Sequence, residues 1–361
     1  MRADPRKDKT LLSALSQVAP GTALRTGIDD VIRSEHGALI VVGEPSDLAF
    51  LFSGGMRLDL PLTPQLLYEL AKMDGAIILN ADLSRIVYAN LQLMPDPTIA
   101  SAETGTRHRT AERVAKQTGA LVISISQQRE TVTLFIGDLR YQLGEISDVL
   151  ARTNQALATL ETYRTRLDQG LTRLTALEFQ GAVTLDDVLV VLQRAEMTTR
   201  MAEEIERNCV ELGEEGRLIR MQLDELMEDV PREKAAVVYD YELSGEPGSA
   251  ASVLERLAAL PYERLVEFEE IAVLLGYPRE ANPLDYTVVP RGHRVLSHIP
   301  RLPESVIRQV VRDFESLDAV IRASQRDLEA VDGVGVVRAR EIREGLRRLQ
   351  EHNLVDRYLQ L

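Results

Sequence analysis

The stretch GTRHRTAERVAKQTGALVISIS, residues 105–126, joins a basic cluster to a helical segment and an apolar strand. In the cluster, two arginines flank His108 and a threonine lies on either side of the three. Arginine presents a planar fork of donors that matches phosphate oxygens, and threonine adds short neutral donors. The pattern beyond it predicts a helix over 110–118 that Gly119 terminates, followed by a strand. The cluster can therefore hold a polyphosphate, although taken alone it also fits a solvated basic turn that opens a helix.

Residues 1 to about 140 alternate between helical and strand-like patterns. The segment 37–43 is a short apolar run with a glycine at each end, which predicts a short buried strand. Strands interleaved with helices indicate an α/β domain in which helices flank a mixed sheet. The basic cluster would then lie at a helix N-terminus, where free backbone N–H groups also attract phosphate. Further helices are predicted near 11–18, 23–33 and 66–72, and further strands over 76–80, 85–89, 120–126 and 131–136.

The run KMDGAIIL, residues 72–79, places Asp74 at the start of a second buried strand. Gly75 next to it lets a ligand approach the backbone closely. A carboxylate in this position can hold a divalent cation and accept a proton from a hydroxyl group. Because Asp-Gly is also a common turn, the motif alone leaves an ordinary turn open.

Several segments together resemble the DAC domain of diadenylate cyclases, namely Asp74-Gly75-Ala76, NLQLMPD (90–96) and ETGTRHRT (103–110), with FSGG (52–55) and YELAKMD (68–74) fitting as well. The resemblance implies synthesis of cyclic di-AMP from two ATP with release of pyrophosphate, which is a nucleotidyltransferase reaction. It also implies Mg²⁺ or Mn²⁺ as cofactor. One domain holds one ATP, so two domains must face each other across an interface.

The same resemblance implies a role for each matching residue. Asp74 would bind the metal ion and help to activate the 3′-hydroxyl group, and Gly75 would line the nucleotide. Leu93 would contact the adenine, with Ser126 near the triphosphate. The triphosphate would be held by Thr106, Arg107, His108, Arg109 and Thr110. The implied catalytic residues are Asp74, Arg107, His108 and Arg109.

Composition limits the classes of protein that fit. With 361 residues, 45% of them hydrophobic, the chain can form two or three domains with substantial cores. It has no run of roughly 18 apolar residues and no start resembling a signal peptide, so we expect a cytoplasmic protein without membrane contact. The single cysteine, Cys209, excludes an intramolecular disulfide and a cysteine cluster for zinc, and we expect it to pack inside a helix.

Charge is unevenly distributed along the chain. The net charge of −14 would repel nucleic acid. Residues 291–361, however, contain 13 arginines against 11 carboxylates, whereas the preceding residues contain 29 basic and 45 acidic groups. The asymmetry directs any DNA contact to the C-terminal region, and the small excess predicts moderate, salt-sensitive affinity.

Residues 141 to about 290 have a helical pattern. Leucines recur at intervals of three, four and seven, which is typical of a long amphipathic helix. We interpret this region as an all-α spine whose leucine and methionine stripe is either core or a self-association face. SGEPGS, residues 244–249, is a predicted flexible connector. The stripe comprises Leu157, Leu160, Leu167, Leu171, Leu174 and Leu177, then Leu185, Val188, Leu192, Met201 and Ile205, and finally Leu218, Met221 and Leu226.

The final region contains Gly333-Val-Gly335 between two helical segments, which resembles a helix-hairpin-helix domain. Glycines let such a hairpin lie against a phosphate backbone, and Arg338 and Arg340 can add to the contact. Binding of this kind favours DNA shape, such as branched or bent duplexes, over base sequence. The segment 296–306 has the same rhythm with prolines and an arginine at the glycine positions, so its own phosphate contact is in doubt. A small helical protein-interaction module is the alternative.

The order of the three regions, 1–140, 141–290 and 291–361, resembles that of the DNA-scanning diadenylate cyclases. The resemblance implies an α/β DAC domain, a helical spine and a helix-hairpin-helix domain that binds branched double-stranded DNA, with a role in DNA repair and nucleoid association. It also implies a homo-oligomer of even number, an octamer in this family. A nucleotide sensor without turnover, or a catalytically silent, ATP-binding, DNA-associated scaffold, remains the alternative.

Overall fold

The computed structural model describes residues 5–246, 248–279, 282 and 284–359, and only the backbone of 5–8 and 352–359. The chain divides into two compact units. The first comprises the chain up to Gln155 together with Glu204–Gln222, and the second comprises Ala156–Glu203 and the chain from Leu223 onward. The predicted boundaries at 140 and 290 stay predictions.

An eight-stranded mixed sheet forms the centre of the first unit. Its order is β2-β5-β4-β1-β6-β7-β8, and β3 pairs with another part of β5. Only the β1–β4 pair is parallel, and the other pairs are antiparallel. The strands are β1 Leu39–Val42, β2 Phe52–Ser53, β3 Met56–Pro61, β4 Ala76–Leu79, β5 Arg85–Leu93, β6 Leu121–Ser126, β7 Thr131–Ile136 and β8 Leu139–Gln142.

Helices cover both faces of this sheet. Successive residues of a strand point to opposite faces, so Ile40 and Val42 pack in one core while Leu39 and Val41 pack in the other. The mixed α/β N-terminal region predicted from the sequence is therefore confirmed. The helices are α1 Pro5–Gln17, α2 Ala23–Arg33, α3 Pro45–Leu48, α4 Pro64–Ala71 and α5 Thr106–Thr118, with a 3₁₀ turn at Ala49–Leu51.

The helical region after the sheet is also confirmed. Most of the predicted stripe is buried, and Leu160, Leu167 and Leu174 are fully so. Leu218 and Met221 are exposed, so this part of the stripe is not core. Cys209 is buried, as expected. The helices are α6 Ile146–Gln180, α7 Leu185–Leu212, α8 Arg217–Met227, α9 Val230–Tyr241, α10 Ser249–Ala259, α11 Tyr262–Leu265 and α12 Phe268–Leu274, with a 3₁₀ turn at Gly213–Gly216.

The predicted connector 244–249 lies between α9 and α10 except for Ser249, which begins α10, and Pro247 lies outside the described residues. Within the described part of the chain, no helix combines the length and apolarity needed to cross a membrane.

The C-terminal segment contains two pairs of helices, and the short turns that join the helices of each pair match. The helices are α13 His293–Ser297, α14 Glu304–Phe314, α15 Leu317–Arg322, α16 Gln325–Glu329 and α17 Val336–Leu359. The turn before α14 and the turn before α17 each have one residue with positive φ, Arg301 at 63° and Gly333 at 78°. Two residues earlier in each turn, Ile299 and Val331 are buried in a shared core. The second turn thus has the same backbone feature as the first at the corresponding position.

Candidate functional site

The sheet topology brings the candidate residues of the first unit to one edge. Strands β1 and β4 are parallel and begin at this edge, whereas β5 and β6 are antiparallel to them and end there. Asp74 therefore precedes β4 where Leu93 ends β5 and Ser126 ends β6. The first turn of α5 lies at the same edge, because Arg107 contacts Gly37 just before β1.

Asp74 is exposed, and no hydrogen bond or ion pair engages its carboxylate within the described residues. Gly75 beside it has φ 95°, and a Cβ there would come within 2.8 Å of the Leu91 backbone nitrogen. The adjoining Asn90 also has positive φ, at 52°, where the pairing of β4 and β5 is irregular. Only glycine fits this close crossing. The crossing fixes the backbone that carries the Asp74 carboxylate.

The helix α5 begins four residues earlier than predicted, at Thr106, so its first turn contains the whole basic cluster. Gly105 is the N-cap with extended backbone and supplies no side chain to cap the helix. The first N–H groups of a helix have no acceptor within it and carry partial positive charge. Gly119 ends the helix in the left-handed conformation, as predicted. This turn has the features of an anion-binding helix start.

The two arginines of the cluster differ in their contacts. Arg109 donates from Nε to the Glu103 carbonyl at 3.3 Å and from Nη2 to the Thr104 carbonyl at 3.2 Å. Arg107 is half-buried and makes no hydrogen bond or ion pair within the part of the chain that is described. The charge of Arg107 is therefore available to a ligand, whereas Arg109 is partly occupied in holding the preceding loop.

His108 is half-buried, and its ring meets the Phe135 ring edge-on with 6.3 Å between centroids. Burial lowers the pKa of His108 below its ordinary value. The carboxylate of Glu103 opposes this change, and the charges of Arg140 and Arg107 add to it. Burial therefore favours the neutral imidazole, which can donate one N–H.

The other predicted residues at this edge differ in how exposed they are. Leu93 is only 8% exposed and packs in the core beneath α5, so little of it is accessible to a ligand. Ser126 is half-buried, and its hydroxyl accepts from the Arg129 backbone N–H at 3.3 Å. Thr106 is exposed, while Thr110, one turn into the helix, is half-buried.

Long-range contacts that sequence reasoning missed hold the loop before α5. The Glu112 carboxylate accepts from the Ser101 hydroxyl at 2.5 Å and from the Ala102 backbone at 3.0 Å. Arg140 on β8 pairs with Glu103 at 2.6 Å. The partners are 10 to 37 residues apart, so no local pattern reveals them. Gly37 is a further residue of the site that the sequence did not indicate.

The residues present fit a divalent cation bound together with substrate. Among the described residues, no three carboxylate, histidine or cysteine side chains form a metal cluster. Mg²⁺ commonly uses one or two carboxylates and completes its shell with phosphate oxygens and water. Asp74 supplies one such carboxylate.

The candidate DNA-contacting residues lie on the second turn of the C-terminal segment and at the start of α17, which follows it. Gly333, Gly335, Arg338 and Arg340 are all exposed. Arg338 donates to the Gly333 carbonyl at 2.6 Å, which braces the turn and leaves the other guanidinium N–H groups for a ligand.

Two family models match the chain. The model described as "DisA bacterial checkpoint controller nucleotide-binding" (DAC) matches residues 25–139. The model described as "DisA bacterial checkpoint controller linker region" matches residues 143–284. The first match contains the whole sheet edge described above.

Relatives align over nearly the whole chain. It is 50% identical to the DNA integrity scanning protein DisA of Carboxydothermus hydrogenoformans, covering 96% of this chain and 98% of the relative. The protein of the same name from Acetivibrio thermocellus is 47% identical, covering 98% of each chain. That of Symbiobacterium thermophilum is 50% identical, covering 96% of this chain and 97% of the relative. The chain belongs to the DisA family of DNA integrity scanning proteins.

Proposed function

We propose that this protein is a diadenylate cyclase that condenses two ATP into cyclic di-AMP and two pyrophosphates. The observation that carries the proposal is the placement of Asp74 and the first turn of α5 at one edge of the sheet. Within the described residues, the Asp74 carboxylate and the Arg107 guanidinium at this edge make no hydrogen bond or ion pair, and together with the free backbone N–H groups of α5 they can bind a triphosphate and a cation. The nucleotide-binding family model over 25–139 supports the same activity.

The reaction requires two nucleotides face to face. The 3′-hydroxyl oxygen of each ATP attacks the α-phosphorus of the other, and the bond to pyrophosphate breaks. Asp74 accepts the hydroxyl proton, while Arg107 and the helix N–H groups stabilise charge on the phosphates. His108, Arg109, Thr106 and Thr110 hold the triphosphate in line, with Gly75, Leu93 and Ser126 around the nucleotide. Mg²⁺ or Mn²⁺ bound to Asp74 would neutralise charge on the phosphates.

Two copies of the chain must then supply one reaction centre. The sheet edge is open, since Asp74 and Thr106 are exposed. A second copy facing this edge would enclose both nucleotides and exclude water. This requirement predicts an even-numbered homo-oligomer, and the family resemblance favours an octamer.

The test combines product identification with one substitution. Purified protein with ATP and Mg²⁺ or Mn²⁺ should form cyclic di-AMP by mass, with specific activity that rises with protein concentration. Asp74→Asn should lower the rate at least about 100-fold, since it removes the proton acceptor and a metal ligand. Asp82→Asn is the matched control, because Asp82 lies in the turn at the opposite end of β4 and only caps that turn.

Three results would contradict the proposal. An unchanged rate in folded Asp74→Asn would refute the role of that residue. Full activity in strictly monomeric protein would refute the facing domains. ATP that stays bound and unreacted at high protein concentration would favour the catalytically silent scaffold.

The second part of the proposed function is contact with branched double-stranded DNA. The exposed turn with Gly333 and Gly335, the arginine excess after residue 290 and the name of the relatives support it. Binding of a labelled four-way junction to the full chain tests it. We expect the bound junction to lower the rate of cyclic di-AMP synthesis, and equal turnover with and without saturating junction would contradict that coupling.

A further inference from the structure

Gly37, just before β1, is in contact with the guanidinium group of Arg107. A Cβ built on Gly37 would lie 2.0 Å from Arg107 Nη1 and 3.0 Å from Arg107 Cζ. A separation of 2.0 Å is far inside van der Waals contact, so no side chain fits while Arg107 keeps this position. The Ile125 carbonyl oxygen, at the end of β6, would lie 3.0 Å away.

The backbone of Gly37 gives no conformational reason for glycine. Its φ lies outside the left-handed region, in contrast to Gly75 at 95°. A left-handed backbone is therefore not what requires glycine at this position. The absence of a side chain at position 37 therefore serves its surroundings, and the nearest of these is Arg107.

Arg107 is also the arginine of the cluster that makes no hydrogen bond or ion pair among the residues that the structure describes. Its neighbour Arg109 is held by two loop carbonyls, and Glu103 is paired with Arg140. A long unpaired side chain would ordinarily sample many rotamers, at a cost in entropy when it binds a ligand. The missing side chain of Gly37 leaves room for the guanidinium to pack against the backbone at the junction of β1 and β6, which gives it a defined position before a ligand binds.

We propose that Gly37 is a positioning residue that holds the Arg107 guanidinium ready for the triphosphate. The inference rests on the proposed nucleotide binding, and it adds a residue outside the Asp-Gly and Arg-His-Arg motifs. Gly37 acts on the ligand only through Arg107. A methyl group at position 37 should move the guanidinium by about an ångström or more and weaken its fit to phosphate oxygens.

The experiment measures ATP affinity by calorimetry and initial rates in four proteins: wild type, Gly37→Ala, Arg107→Ala and the double variant. Gly37→Ala should weaken ATP binding about tenfold and lower kcat/KM by about 100-fold, since a displacement of an ångström can cost this much. In the Arg107→Ala background the same change should have almost no further effect.

Gly43→Ala is the matched control, because Gly43 flanks the other end of β1. Its φ also lies outside the left-handed region, and its Cβ would come closest to the end of the Leu48 side chain at 3.3 Å, with the Ala120 Cβ in ordinary contact at 3.7 Å. Gly43→Ala should leave ATP affinity unchanged. Thermal unfolding of all variants separates loss of fold from loss of positioning.

Three outcomes would overturn the inference. If Gly37→Ala weakens ATP binding equally with and without the arginine, it acts through the Ile125 backbone and not through Arg107. If Gly37→Ala binds ATP as well as wild type, the contact positions nothing. Wild type that binds ATP in an Arg107-dependent way but forms no cyclic di-AMP would refute the cyclase while leaving the positioning role supported. Wild type that binds no ATP would refute both.

Discussion

The half-buried imidazole of His108 predicts a pH dependence of nucleotide binding. Burial and the neighbouring arginines lower the pKa of His108 in the free protein. A bound triphosphate brings negative charge next to the ring and stabilises its charged form, so its pKa should rise on binding. A group whose pKa is higher in the complex takes up a proton when the ligand binds. ATP affinity should therefore increase as the pH falls from 8 towards the pKa that His108 has in the protein without ligand.

The measurement compares wild type with His108→Gln, which keeps an N–H donor but cannot titrate. Protonation of ATP itself affects both proteins equally, so the difference between them reports His108. Nuclear magnetic resonance of the imidazole should show that the midpoint of its pH titration rises on addition of a non-hydrolysable ATP analogue. If the analogue leaves this titration midpoint unchanged, His108 does not pair with phosphate.

At the scale of elements, the two C-terminal turns have matching backbone conformations. They differ in the residue that would face DNA. Gly335 has ordinary φ and no neighbour within 4 Å of an added Cβ, so Gly335→Ala should leave the fold intact. The same methyl group would stand between the turn and a phosphate, and we expect affinity for a four-way junction to fall about tenfold. Pro303→Ala, at the equivalent position of the first turn, is the control and should bind as wild type does. Equal losses would show that both turns contact DNA.

Elements with local signals could be predicted from the sequence, and those fixed by distant partners could not. Helix α5 was predicted with its terminating Gly119 because both signals lie within the segment itself. Its start was predicted too late, since its buried face begins only at Ala111 and the turn before it has no apolar residue. Strand β8 was missed because its residues alternate only between half-buried and exposed. The irregular crossing of β4 and β5 that requires Gly75 is a tertiary feature.

At the scale of the molecule, the helical region and the C-terminal segment share a buried ionic cluster within the second unit. Arg294 on α13 is 1% exposed and contacts Glu178 on α6 and Glu233 on α9. Asp240 on α9 accepts from the backbone N–H groups of His293 and Arg294 at 2.7 and 2.8 Å. The charge pattern of the sequence suggested that these regions are separate. It could not reveal their contact, because residues that pair across more than a hundred positions leave no local signal in the sequence.

This cluster predicts that the second unit unfolds as a whole. Arg294→Met would leave the buried Glu178 carboxylate without its ionic partner and remove one of the side chains that contact Glu233, which His298 also contacts, and this should lower the free energy of unfolding by about 3–5 kcal/mol. Adding Glu178→Leu removes one uncompensated charge and should recover part of the loss. The exposed pair Arg322–Asp318 supplies the control, since Arg322→Met should change stability by less than about 1 kcal/mol.

Hydrogen exchange locates the effect of Arg294→Met. Because the cluster joins α6, α9 and α13, loss of Arg294 should reduce amide protection in α9 and in α13–α14 together, and Arg322→Met should reduce it in neither. Loss of protection confined to residues after 290 would mean that the C-terminal segment is an independent folding unit. In that case DNA bound there could not act on the helical region through this cluster. Coupled loss, by contrast, would make Arg294 the residue at which to interrupt any effect of bound DNA on the helical region without changing the candidate DNA-contacting turn.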